Sequence, residues 1–127
     1  MGANARAAGI DRLITLPGAE AAARGFEQYA TQYPDKPDAE DVYWRAGEQW
    51  EAVGPQEAAA YYRRYLSRFG MQNPDHALAA KQKQVEALEE TGDTRRANAL
   101  RDEIVEDYDR LVADGVEIGA MGRHYAA

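Results

Sequence analysis

Three segments of the chain repeat the same spacing of large and small residues. Positions 0, 4, 7 and 11 of each segment carry an alanine and then, with one exception, an aromatic or aliphatic residue. The members are Ala22, Phe26, Tyr29 and Tyr33; Ala58, Tyr62, Tyr65 and Phe69; and Ala97, Arg101, Ile104 and Tyr108. These offsets trace one face of an α-helix, because a turn takes about 3.6 residues. The segments start 36 and 39 residues apart, which indicates an internal helical repeat with loops of variable length.

Turn and capping signals divide the chain into seven segments of helical composition. These signals are Pro17–Gly18, residues 34–37, Gly54–Pro55, residues 70–74, Gly92–Asp93 and Asp114–Gly115. No segment alternates apolar and polar residues over the length of a strand. The sequence therefore predicts an all-α fold with about seven helices and essentially no sheet.

The segments between the repeats carry a second, weaker pattern of a large residue, a small pair and an aromatic. It occurs as Tyr43, Ala46, Gly47 and Trp50, and again as Ile118, Met121, Gly122 and Tyr125. The fifth segment departs from it, since Lys81 stands at the position of the large residue. In the third repeat Arg101 likewise replaces an apolar residue, and Leu100 stands in for the apolar group.

Taken together, the two patterns resemble the tetratricopeptide repeat, and the stretch from Tyr43 to Pro74 follows it best. The resemblance implies an α-solenoid of antiparallel helix pairs in a single domain covering residues 1–127. Its approximate repeats are 3–34, 40–74 and 75–113, followed by a closing helix over 116–127. The long loops at 35–40 and 70–75, together with the aromatic run at 62–69, resemble bacterial envelope proteins of the outer-membrane-assembly lipoprotein group.

Composition excludes several classes of function. The 127 residues carry a net charge of −7 and no cysteine, which argues against a nucleic-acid surface and excludes disulfide or thiolate metal sites. No apolar run approaches the roughly 18 residues of a membrane span, and the first residues lack the apolar region of a signal peptide. The compartment, cytoplasmic or periplasmic, stays open.

Residues suited to catalysis do not converge in the sequence. His76 and His124 have no carboxylate or second histidine three or four residues away, and Ser67 is the only serine. We therefore expect no enzyme activity, no cofactor and no metal site.

The repeat resemblance also implies a binding surface, because the first helix of each pair lines the concave groove in that family. The carried-over positions are Trp44, Glu48 and Glu51 in the second repeat and Gln82, Glu86 and Glu89 in the third, with Glu90 beside them. An acidic groove with an aromatic edge suits a basic or neutral protein segment. The expected function is a non-catalytic interaction scaffold, although a merely solvated acidic face is the open alternative at these positions.

A second hypothesis is a structural spacer that assembles with copies of itself or with further repeats of a longer protein. Solenoid ends need polar caps, and a homo-oligomer would cover an end that lacks one. The acidic run of the sixth segment is expected to be solvated: Asp102, Glu103, Glu106, Asp107 and Asp109. Arg63, Arg64 and Arg68 are expected on the outer side of the fourth segment, where an acidic neighbour or an anionic surface is the open alternative.

Overall fold

A computed structural model describes residues 16–119, which contain five α-helices and no strand. The helices are α1 (Leu16–Gln32), α2 (Ala39–Val53), α3 (Pro55–Phe69), α4 (Pro74–Glu90) and α5 (Thr94–Ala113). The predicted all-α class is confirmed for this part of the chain. The helix expected before residue 16 lies outside the described residues.

The closing helix predicted for residues 116–127 is absent over 116–119, which are non-helical, and residues 120–127 lie outside the described part. The chain leaves α5 through Gly115, whose φ of 77° favours glycine. The Gly115 amide donates to the Val112 carbonyl at 3.0 Å, and the Val116 amide donates to that of Leu111 at 2.9 Å. This pair of bonds is a Schellman motif, which ends the helix and reverses the chain.

The loop between α4 and α5 repeats this motif and then caps the next helix. Gly92, at a φ of 80°, donates to Glu89, and the Asp93 amide donates to the Leu88 carbonyl at 2.8 Å. The Asp93 carboxylate accepts from the Arg96 amide at 3.2 Å, which satisfies one free amide at the start of α5. Three residues therefore reverse the chain.

The chain divides into two compact units, Met1–Ala58 and Ala59–Ala127, and α3 crosses the boundary. In the first unit α1 packs against α2. The face predicted for α2 is confirmed, because its members are all buried: Tyr43, Ala46, Gly47 and Trp50. The guanidinium of Arg24 lies 5.5 Å from the centre of the Trp50 ring, which links the two helices.

The predicted face of α1 is only partly correct. The buried positions include Ala19, Ala23 and Ala30, whereas Ala22, Phe26 and Tyr29 of the predicted face are half-buried. Tyr33 is 43 % exposed because α1 ends at Gln32 and the chain leaves the helical path there. Small residues thus form the most deeply buried part of this helix.

The second unit has a continuous apolar core between α4, α5 and the segment after α5. The buried members of this cluster are Leu78, Val85, Ala97, Ile104 and Ile118. The predicted face of α5 is confirmed at Ala97 and Ile104, and Tyr108 packs against the cluster from its edge. Ile118 is 5 % exposed, so the non-helical segment after α5 is held to the core by its side chain.

Candidate partner-binding surfaces

The predicted binding residues of α2 share one side of the helix. Trp44, Glu48 and Glu51 follow the spacing of four and three residues that aligns side chains along a helix. Glu48 and Glu51 are exposed, whereas Trp44 is buried at 9 % exposure. Both acidic residues thus lie at the surface of the helix, whereas little of the indole does.

The predicted residues of α4 differ in how far other side chains already engage them. Gln82 is half-buried, and Glu86, Glu89 and Glu90 are exposed. The Lys83 ammonium lies 3.8 Å from Glu86. Arg101 of α5 forms an ion pair and a hydrogen bond with the Glu89 carboxylate.

The structure groups Gln82, Glu86 and Glu89 along one side of α4, in the second unit, while the residues of α2 belong to the first. Arg101 binds Glu89 through a hydrogen-bonded ion pair, whereas the contact of Lys83 with Glu86 is longer, at 3.8 Å. Glu86 is therefore less tightly engaged than Glu89. Their use in binding stays a prediction.

A buried ionic cluster joins α4 and α5. Asp107 is 4 % exposed and accepts hydrogen bonds from Lys81 and, at 3.0 Å, from Arg110. Lys81 also donates to Glu103 at 2.6 Å, and only 14 % of the lysine side chain is exposed. The prediction that Asp107 belongs to a solvated run is wrong, because this side of α5 faces α4 and its lysine.

The cluster shifts the pKa of its lysine. Burial lowers the pKa of Lys81, but hydrogen bonds to Asp107 and Glu103, together with their negative charges, outweigh burial and raise the pKa above its usual 10.5. The ammonium is therefore a fixed charge that binds two carboxylates of the neighbouring helix.

Sequence reasoning singled out neither Lys81 nor Arg101 as functional contacts, although a signal was present. Each stands where the repeat pattern has an apolar residue, and each binds a carboxylate across the α4–α5 interface. A cation at a core-facing position is expensive to bury alone, so it predicts a carboxylate on the facing helix. The sequence could therefore predict that Lys81 pairs with a carboxylate, but it could not identify that carboxylate as Asp107.

The remaining polar groups form structural contacts. The Asp75 carboxylate accepts from the Gly119 amide at 3.1 Å, and the His76 ring contacts that of Tyr65 edge-on, with centres 6.4 Å apart. Arg64 lies over the Tyr61 ring at 4.8 Å. His124 falls outside the described residues.

Within residues 16–119, no group of three or more potential ligands is arranged to hold a metal ion. None of the five helices has the length and apolarity needed to cross a membrane.

No protein-family model fits the sequence, and no curated protein or solved structure matches it.

Proposed function

We propose that this protein is a non-catalytic interaction scaffold with a tetratricopeptide-like architecture. In this proposal antiparallel helix pairs stack into an α-solenoid of three repeats and a closing helix. The exposed carboxylates of α2 and α4 bind a basic or neutral segment of a partner protein. Trp44 also belongs to the proposed binding surface, at the edge of these carboxylates.

The pairing of consecutive helices supports the architecture. Lys81 meets Glu103 and Asp107, while Glu89, further along α4, meets the earlier residue Arg101 of α5. Contacts that run in opposite directions along two helices are those of an antiparallel pair. In the first unit α1 and α2 also pack together across a loop of six residues, 33–38. In the proposed architecture this hairpin is the contact between the first and second repeats.

One observation carries the functional part of the proposal. Glu48 and Glu51 on α2, and Glu86 and Glu90 on α4, are exposed. These are the helices whose counterparts line the concave groove in the family that the sequence resembles. Carboxylates at the rim of an interface attract a cationic segment and raise its association rate more than its final affinity.

Selection from a displayed library of random peptides tests this function, because it samples many charge patterns without choosing a partner in advance. We expect the recovered peptides to be enriched in lysine and arginine and their binding to weaken as salt is added. The test variant is Glu48→Gln/Glu51→Gln/Glu86→Gln/Glu90→Gln. The matched control is Glu57→Gln/Glu106→Gln/Asp114→Asn/Glu117→Gln, which removes the same number of charges from exposed positions elsewhere.

The expected result is that the control binds the recovered peptides as the natural chain does and that the test variant does not. Circular dichroism must first establish equal helix content in all three proteins. If both variants lost peptide binding equally, the cause would be their lower net charge, and a localised site would be contradicted. Failure to recover peptides, combined with a mass that rises with concentration in light scattering, would favour the self-assembling spacer instead.

A further inference from the structure

The two flanks of α5 differ in how they are covered. One flank carries the carboxylates of Glu103 and Asp107, and Lys81 of α4 binds both. The carboxylates of this flank are therefore paired within the hairpin that α4 and α5 form. The opposite flank carries Val105 and Val112, which lie seven residues, or about two helical turns, apart.

The two valines are unusually open for large apolar residues. Val105 is 42 % exposed and Val112 is 52 % exposed. Tyr108 lies between them along the helix, half-buried at the edge of the apolar core. We call Val105, Tyr108 and Val112 the α5 strip; it extends for about 10 Å, at about 1.5 Å per residue.

Acidic residues border the α5 strip. Asp102 and Asp109 lie three residues before Val105 and four residues after it, so they are its neighbours on the helix surface, and both are exposed. Near its start Arg101, one turn before Val105, is already engaged by Glu89. The free charge beside the strip is therefore negative.

We propose that the α5 strip docks an amphipathic helix of another protein, with apolar residues on one face flanked by lysine or arginine. Apolar side chains three and four residues apart on that helix would cover Val105 and Val112, since helical recognition uses this spacing. Its cations would meet Asp102 and Asp109. Charge complementarity selects this occupant, because a second copy that met it through its own α5 strip would bring like charges together and an anionic membrane would be repelled.

This docking surface uses none of the carboxylates proposed for the function above, so either proposal can fail without the other. The probe is a labelled peptide of leucine and lysine whose leucines are spaced three and four residues apart. One comparison peptide has the same composition with strict alternation, and another replaces lysine with glutamate. Binding is followed by fluorescence anisotropy.

Three variants locate the site. Val105→Ser/Val112→Ser removes the apolar surface, and Asp102→Asn/Asp109→Asn removes the flanking charge. Ala99→Ser/Ala113→Ser alters exposed positions on other sides of α5 and is the matched control. We expect the valine variant to bind the spaced peptide about tenfold more weakly, because its apolar contact area is lost. The aspartate variant should bind more weakly and lose part of its salt dependence.

Binding should also persist in the four-glutamine variant of α2 and α4, which separates this site from the proposed acidic surface. Equal binding of the spaced peptide by the natural chain and the valine variant would overturn the proposal. Equal binding of the alternating or acidic peptide by the natural chain, or no binding of the spaced peptide, would also overturn it. A dimer that the valine substitutions dissociate would assign the strip to self-association instead.

Discussion

Asp107 of α5 accepts a hydrogen bond from Lys81 of α4 although the aspartate is only 4 % exposed. The lysine is largely covered as well, with 14 % of its side chain accessible, and Arg110 reaches the same carboxylate from α5 itself. A buried pair of this kind stabilises little relative to an apolar pair, but it penalises any arrangement that separates its members. We therefore interpret the pair as a device that fixes how α4 and α5 align.

Breaking this pair on one side should destabilise the protein strongly. Lys81→Met leaves the Asp107 carboxylate buried with only Arg110 beside it, so we expect the free energy of unfolding to fall by about 3 kcal/mol. Urea denaturation followed by circular dichroism measures the change. Arg45→Met provides the control, because its ion pair with Asp41 is exposed and contributes about 0–1 kcal/mol.

The double variant Lys81→Met/Asp107→Leu should recover most of the loss, since it replaces the ion pair with apolar surface. Recovery in this double-mutant cycle attributes the destabilisation to an uncompensated buried charge. A single-variant loss below about 1 kcal/mol would contradict a buried, coupled pair.

High pH should weaken the same contact. The pKa of Lys81 is raised in the folded protein, so its stabilising contribution is fully present below the ordinary lysine value of 10.5 and is lost as the pH rises through the higher folded value. The natural chain should therefore lose more stability than Lys81→Met over this alkaline range.

Tyr29 must be removed from the pH comparison. Burial and the nearby Asp38 carboxylate raise the pKa of Tyr29, and its ionisation destabilises the fold in the same direction. Both proteins should thus carry Tyr29→Phe. Parallel decline of the two stability curves would contradict a coupled lysine.

Two glycine-to-alanine substitutions should have opposite effects. A Cβ at Gly119 would approach Oδ2 of Asp75 to 2.7 Å, whereas a Cβ at Gly25 meets nothing within 4 Å. Gly119→Ala should disturb the hydrogen bond to Asp75 and lower stability by about 1 kcal/mol. Gly25→Ala, inside α1, should raise stability by up to about 1 kcal/mol.

Hydrogen exchange at the Gly119 amide gives an independent measurement. It should accelerate in Gly119→Ala and stay unchanged in Gly25→Ala. An unchanged exchange rate and unchanged stability in Gly119→Ala would show that the segment after α5 is not held by Asp75.

Truncation of three aromatic residues should follow their burial rather than their place in the repeat. Tyr62 is 1 % exposed, so Tyr62→Ala should lower the free energy of unfolding by about 3–5 kcal/mol. Phe26 is half-buried, and Phe26→Ala should lose less. Tyr33→Ala should lose least, because 43 % of that residue is exposed. Thermal and urea unfolding test this order; equal losses at Tyr62 and Tyr33 would contradict the assigned faces.

Much of the secondary structure could be predicted from local patterns. The offsets of four, seven and eleven residues predict helices, and glycine, proline and asparagine or aspartate at the boundaries predict where they end. Gly92 with Asp93 indicates both the end of α4 and the cap of α5. These features depend on the backbone preferences of residues that are close together in the chain, so the sequence is sufficient to predict them.

The spacing of large and small residues does not, however, specify which residues of a helix are the most deeply buried. In α1 the repeat pattern selects Phe26 and Tyr33, yet Ala19, Ala23 and Ala30 are the fully buried residues. The choice depends on the position of α2, which packs against α1. The exposure of the candidate carboxylates could be anticipated from their charge, but the engagement of Glu89 by Arg101 could not.

The helical character of this part of the chain and the places where it reverses can be derived from the amino-acid order, because these properties depend on neighbouring residues. The packing of α5 against α4 is what buries Asp107 with Lys81 while Asp102 and Asp109, on the same helix, stay exposed. All three are aspartates among other acidic residues. They differ in which side of α5 they occupy: only Asp107 faces Lys81 of α4. That contact joins positions 26 residues apart, which local sequence patterns do not reveal.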